Sequence, residues 1–237
     1  MNFLALAQKV YQECKFPSGT AARPTAVTGQ SGQLKRIVDW TADAYKELQR
    51  LHPNWRWMRR AFTLNTVLGD GIYAFGDATD VDVGVAISRF SRWWLNDLYD
   101  QPKSYLSSSG VSVEYRLIWL PWESFKYLYR IGTQNNGKPV HISVDPQNNL
   151  VLGPKPDGVY VVSGDFQRGV QVLAADGDTP DMPADYHDLI VYYAMEKYGA
   201  NAVAAETFAR ARLEAHRSLR ALELNQLPDI CIAPPLC

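Results

Sequence analysis

Cysteine is scarce. The three present, Cys14, Cys231 and Cys237, are an odd set without a C-x-x-C pair. A disulfide framework and a zinc site are therefore not indicated, and a reducing compartment suits the chain best. The four histidines, His52, His141, His187 and His216, stand far apart and form no H-E-x-x-H pair, so spacing gives no reason to assign a metal. Charge of one sign is missing as well. With 24 Lys plus Arg against 25 Asp plus Glu, the net charge is -1, and no global field draws a polyanion. No apolar run approaches the roughly 18 residues of a membrane span. The start, Met1-Asn2-Phe3-Leu4-Ala5-Leu6, lacks a basic n-region and a long apolar h-region, so synthesis in the cytoplasm, with no membrane span, is expected.

Motifs that carry chemistry are also wanting. Gly29-Gln30-Ser31-Gly32 has its second glycine one residue too early for a nucleophile elbow and follows no strand, so Ser31 reads as a helix cap. Gly69-Asp70-Gly71 is too short for a phosphate loop and has Ala74 where a third glycine belongs; it reads as a turn. The acidic run from Asp176 to Asp185 begins like a calcium loop but places His187 where a bidentate Glu is needed. It reads as a loop whose Asp185 favours the next helix N-terminus. No two acids are brought together for acid–base work. The expectation is a protein without catalytic residues, cofactor or metal, and not an enzyme.

What the chain does have is apolar and aromatic mass. Hydrophobic residues make up 46%, ample for a core, and seven Trp with thirteen Tyr exceed what a small core needs. Such rings are favoured anchors at protein interfaces. The fold class expected is α+β: an amphipathic helical bundle, a β-rich insertion between the second long helix and the C-terminal helices, and an extended C-terminal tail. The bundle draws on residues 1–60 and 183–226, the insertion on 61–182 and the tail on 227–237.

Phe3, Leu4, Ala7, Val10, Tyr11 and Cys14 repeat at helical spacing, as do Leu34, Ile37, Val38, Thr41, Tyr45 and Leu48 before Pro53 forces a stop. From Phe62 the period becomes two, with Phe62, Leu64, Thr66 and Leu68 leading into the glycine turn, a hairpin signal. Ile87, Phe90, Trp94 and Leu98 suit a short helix over 87–99. Strands are expected over 111–118, 141–144, 150–152, 159–162 and 170–173, with a helical turn opened by Pro121 and a chain reversal at Asp145-Pro146-Gln147-Asn148-Asn149. Helical period returns at Leu189, Ile190 and Tyr193, pauses at Gly199 and continues through Ala204, Phe208, Ala211, Ala215, Leu219 and Leu222, where Glu206 and Arg210 form an i, i+4 pair. Leu227-Pro228 ends it.

Two stretches stand out as candidate interface. Trp55, Arg56, Trp57, Arg59 and Arg60 combine rings and guanidinium groups between a helix and a strand. Protein contact is the better reading, since stacking on bases usually needs a wider basic field. Ile230, Ile232 and Leu236 lie in a proline-broken tail that forms neither a helix nor a central strand and so must lie extended on something.

Three further stretches carry a resemblance. They are Val27 to Trp40 followed by Trp55-Arg56-Trp57-Met58-Arg59; Gly137-Lys138-Pro139 with Leu150 to Asp157 and Tyr160 to Phe166; and Leu173, Asp178, Pro180 and Pro183 to Ala194. In order and spacing the chain resembles the head-to-tail adaptor, or neck, proteins of tailed bacteriophages, which are related in architecture to the tail tubular proteins of short-tailed phages. The resemblance implies a structural virion protein. It implies a homo-oligomeric ring, expected to hold twelve copies, that docks to the portal protein, receives the tail or next neck protein, and surrounds the channel through which genomic DNA passes without sequence-specific binding. Long helices with one wet face and little net charge suit side-by-side packing in a closed ring, and a near-neutral lining would not retard sliding DNA. Readings of other kinds are a tail-tube or tail-completion subunit, and a nucleic-acid- or carbohydrate-binding module built on Trp55 and Trp57.

Overall fold

The computed structural model describes residues 1–14, 23–95, 101–202 and 204–227. The chain divides into two compact units, Met1–Met58 with Val170–Cys237, and Arg59–Gly169.

The first unit is helical: α1 (Phe3–Glu13), α2 (Gly32–Leu51), α4 (His187–Asn201) and α5 (Ala205–Gln226). Asn2 starts α1 by accepting the Ala5 amide at 2.9 Å on its side-chain oxygen. Its stripe of Phe3, Leu6, Ala7 and Val10 is buried with Ile37, Val38, Tyr45 and Leu48 of α2 and Leu189, Ile190, Val191, Ala194 and Met195 of α4. α1 and α2 each seal one face at the helical period of the sequence, whereas α4, with Leu189, Ile190 and Val191 buried in succession, is covered on more than one side. From α5 only Ala211, Ala215 and Leu222 are fully buried, and Phe208 is half-buried. Small side chains let α5 approach closely. At Gly199 an added Cβ would lie 2.8 Å from the Phe208 Cβ and 2.9 Å from its Cα, so this glycine serves a helix crossing rather than a break. The helix ends two residues later and α5 begins at Ala205.

The segment 170–182, expected to fall within the β-rich part with a strand at 170–173, forms no strand and belongs to this unit. Its backbone is engaged elsewhere. The Gln171 amide donates to Gln49 Oε1 at 2.7 Å, and Gln49 Nε2 returns a bond to Gln171 O at 3.0 Å. Tyr45 OH donates to Gln171 Oε1 at 2.8 Å, and the Asp181 amide donates to that Tyr45 oxygen at 2.9 Å. Leu173 and Met182 complete the core.

The described residues of the second unit form eleven strands and one α-helix: β1 (Arg59–Asn65), β2 (Ile72–Tyr73), β3 (Thr79–Asp80), β4 (Val85–Ala86), β5 (Arg92–Trp94), β6 (Lys103–Leu106), β7 (Tyr115–Arg116), β8 (Ile118–Trp119), α3 (Trp122–Tyr129), β9 (His141–Val144), β10 (Leu150–Gly153) and β11 (Tyr160–Gln167). One sheet runs β4-β3-β1-β11-β6-β7, with β5 also paired to β11, and the other runs β2-β10-β9-β8. β1 and β11 pair antiparallel from Arg59 with Gln167 to Asn65 with Val161. Phe62, Leu64, Val162, Phe166 and Trp93 of the first sheet share one core with Ile142, Leu150 and Leu152 of the second. The chain passes from one sheet to the other at Leu117, which is fully buried between β7 and β8.

Several expectations change here. The glycine turn after β1 does not close a hairpin. Tyr73 beyond it pairs with Leu150 in the other sheet, because the turn's backbone is committed to 152–156: Gly69 N donates to Pro156 O and Leu152 N to Gly71 O. Residues 87–95 are not helical. Trp93 and Leu95 are buried at strand spacing around β5, and 96–100 lie outside the described residues. The expected strand over 111–118 is a 3-10 turn at Val111–Val113 followed by the two short strands β7 and β8. The reversal at Asp145–Asn149 holds as expected: Asp145 Oδ1 accepts the amides of Gln147 and Asn149 at 2.9 and 2.8 Å, and Asn148 adopts φ 64.

Candidate interface residues

Pro53 ends α2, and the chain turns back so that Trp55 enters the helical core. It is fully buried, and its indole N–H donates to Leu48 O at 3.0 Å, satisfying the polar edge that burial would otherwise strand. His52 meets it edge-on at 4.9 Å and Trp57 stacks on it at 4.3 Å with an interplanar angle of 27°. The His52 Nε2 also lies 2.9 Å from Glu223 Oε1 of α5. Trp57 is half-buried and Arg56 exposed in the 3-10 turn Arg56–Met58.

Arg59 and Arg60 open β1 and belong to the second unit. Arg59 Nε donates to Asp165 Oδ2 at 2.6 Å, and its guanidinium lies 4.7 Å from the centre of the Trp94 ring, which Arg92 also approaches at 4.7 Å. Arg60 bridges Asp80 at 3.2 Å and Asp82 at 3.5 Å. Of the five clustered residues, then, Arg56 is exposed, Trp57, Arg59 and Arg60 are half-buried, and Trp55 is fully buried. Trp55 anchors a core, and both arginines of β1 hold neighbouring strands. Ile230, Ile232 and Leu236 lie outside the described residues. Leu227, placed in the tail by sequence, packs against the helical core.

The acidic run is a structural brace rather than an open loop. Asp176 Oδ1 accepts the Val27 amide at 2.6 Å, and the backbone carbonyls of Asp178 and Asp176 accept the amides of Phe3 and Leu4, the otherwise orphaned donors of α1. Asp178 accepts the amides of Ala174 and Ala175, and these bonds hold its carboxyl below the usual range. No sequence motif announces this role. His187, at the position where a calcium loop requires Glu, is buried, 2.6 Å from the Met1 amine at Nδ1 and 3.1 Å from Met182 O at Nε2. Burial lowers its pKa. Arg210 pairs with Glu13 of α1 at 2.7 Å instead of Glu206 on its own helix.

Two arrangements bear on chemistry. Burial pushes the Cys14 thiol up to about 12, which leaves it a packing group rather than a nucleophile. Tyr129 OH lies 2.7 Å from His141 Nδ1, beside a small cavity lined by Asp70, Tyr129, Arg130 and Lys155. Among the described residues no three His, Cys, Asp or Glu side chains converge as a metal would require, and no helix is long and apolar enough to cross a membrane.

The family model for the SU10 adaptor protein matches residues 1–229. The chain belongs to the SU10 adaptor protein family. This is a phage head-to-tail adaptor family, so the resemblance seen in the sequence is borne out. No curated protein matches the chain. SU10 adaptor membership makes the protein a structural component of a phage virion, one that meets other virion proteins such as portal and tail. The match takes in both compact units, so neither is an addition foreign to the SU10 adaptor pattern.

Proposed function

We propose that the chain is a head-to-tail adaptor that closes into a ring of twelve copies beneath the portal, joins capsid to tail and lines the channel through which DNA passes. The family match over 1–229 carries this reading. The helical part (1–58 with 170–227) and the β-rich part (59–169) act as two bodies of one adaptor, and residues 228–237 as an extended arm on the portal or on a neighbouring copy. Arg56 and Trp57 supply contact area to a partner protein. The subunit performs no catalysis and holds no cofactor or metal. A net charge of -1 suits a channel wall that must not hold phosphates.

Cryo-electron microscopy of the assembled particle tests this. The expected result is a twelve-fold ring of this subunit in contact with the portal. Density for the chain along the tail tube, away from the portal, would overturn the reading in favour of a tail-tube or tail-completion subunit.

A further inference from the structure

Asn136 and Gly137 form the only Asn-Gly pair in the chain. In such a pair the glycine amide has no side chain to hinder its attack on the neighbouring carboxamide, which makes this asparagine the most labile kind. Nothing in the fold demands glycine at 137. Its φ is not positive, and an added Cβ would meet only Pro154, at 3.6 Å, an ordinary contact. The Asn136 side chain is equally unengaged: it is exposed and, among the described residues, forms no hydrogen bond.

One hydrogen bond restrains the pair. Gly137 N donates to Lys155 O at 2.8 Å, within an isolated parallel bridge between Gly137 and Pro156. Before it, residues 131–133, 135 and 136 are exposed; after it, the next backbone bond runs from Val140 N to Gly153 O at 2.9 Å. A single bond at the end of an exposed segment opens far more readily than the molecule unfolds. While it is closed, the Gly137 proton is held by Lys155 and the nitrogen cannot swing onto Asn136 Cγ.

We propose that Asn136 is a site of spontaneous deamidation in the folded protein, at a rate set by opening of the Gly137–Lys155 bond. In the open state Gly137 N attacks Asn136 Cγ. The N–Cγ bond forms, the Cγ–Nδ2 bond breaks, and Nδ2 leaves as ammonia with the amide proton. Water then opens the cyclic imide. Cleavage of the N–Cγ bond gives aspartate; cleavage between Gly137 N and the Asn136 main-chain carbonyl gives isoaspartate, whose main chain is one carbon longer. Either product adds a carboxylate next to Lys155, the neighbour of Asn136 in the register of the bridge, and the longer one takes Gly137 out of step with Pro156. A virion component is not renewed after assembly, so the change accumulates.

The test holds the full chain at mildly alkaline pH, with a matched sample unfolded in urea, and follows both by peptide mapping with mass spectrometry. The expected result is the mass gain of an amide-to-acid exchange in the peptide that carries Asn136. Two products should separate, one of them a substrate of isoaspartyl methyltransferase. Folded protein should convert about tenfold or more slowly than the unfolded chain, in step with hydrogen exchange of the Gly137 amide. Asn148, also exposed but followed by Asn149, serves as the internal control and should stay unchanged. Gly137→Ala should slow the unfolded chain about tenfold as well, through the added methyl group alone. Folded protein that stays unconverted while the unfolded chain converts completely would overturn the site. Equal rates in the two samples would overturn the gate. Conversion at Asn148 as fast as at Asn136, or undiminished conversion in unfolded Gly137→Ala, would overturn the assignment to this pair.

Discussion

At the scale of single residues, the most informative positions are those where burial and chemistry conflict. His187 is buried and its pKa is lowered first by desolvation, with the Met1 amine adding repulsion. The folded state thus prefers the neutral ring, whereas the unfolded chain takes up a proton near the ordinary value of 6.5. Stability is complete above that value and falls as pH drops from about 6.5 toward the lower folded pKa. The melting temperature should therefore decline between pH 7.5 and 5, with a shallower slope in His187→Gln; equal slopes in the two proteins would rule this histidine out as a source. Gly199 poses a different conflict. Alanine is normally better than glycine in a helix by about 1 kcal/mol, but a methyl group here meets the Phe208 backbone at under 3.0 Å. Gly199→Ala should cost about 1–3 kcal/mol as an overpacked contact, read as a lowered denaturation midpoint. A stabilised variant would show that α5 shifts freely.

At the scale of elements, helices were easier to read than strands. α1 and α2 each carry their own apolar stripe, so the 3.6-residue period identifies them without knowledge of their neighbours, whereas α4 buries Leu189, Ile190 and Val191 in succession and is covered around most of its axis. Ile37 lies in the centre of such a stripe and is 1% exposed, while Phe208 is half-buried. Ile37→Ala should cost about 2–5 kcal/mol, and Phe208→Ala less, since part of its ring already faces water; chemical denaturation of the two variants checks the order.

The strands failed the local test for reasons visible in the structure. β5 reads as helical because Phe90 and Trp94 fall four apart, yet the decisive partner is β11, over 70 residues away, whose Phe166 sits opposite Trp93. The turn after β1 has hairpin chemistry, but its amides and carbonyls are bonded to 152–156, which no short-range pattern reveals. The same holds for the candidate interface. The Trp/Arg cluster was visible as a cluster. That Arg59 belongs to Asp165 depends on a pairing across 106 residues, and that Trp55 faces inward depends on the helical core around it.

At the scale of the whole molecule, family membership was legible before the fold was, because order and spacing of short stretches survive where pairing partners cannot be read. The proposed arm at 228–237 has a test at this scale. Leu227 packs on the helical core, so removal of residues 228–237 should leave that packing untouched. The truncated monomer is expected to melt with the full chain, while its attachment to portal-bearing heads falls at least tenfold, measured by recovery of tailed particles. A lowered melting temperature would show that the arm packs on its own subunit; normal attachment would remove it from the joint.

The antiparallel partnership of β1 and β11 has a mechanical side. Arg59 and Gln167 face each other at one end of that pair, and the chain enters the second unit just before the one and leaves just after the other. Tension drawn through the two crossing strands pulls them apart at that same end. Backbone bonds then break in succession, as a zipper opens, and do not resist together as they would in shear. The first rung is fastened by side chains: the Arg59–Asp165 ion pair and the Trp94 ring beneath two guanidinium groups hold the end at which opening would start. The reinforcement of the pair thus stands at the end where the chain crosses between the two units.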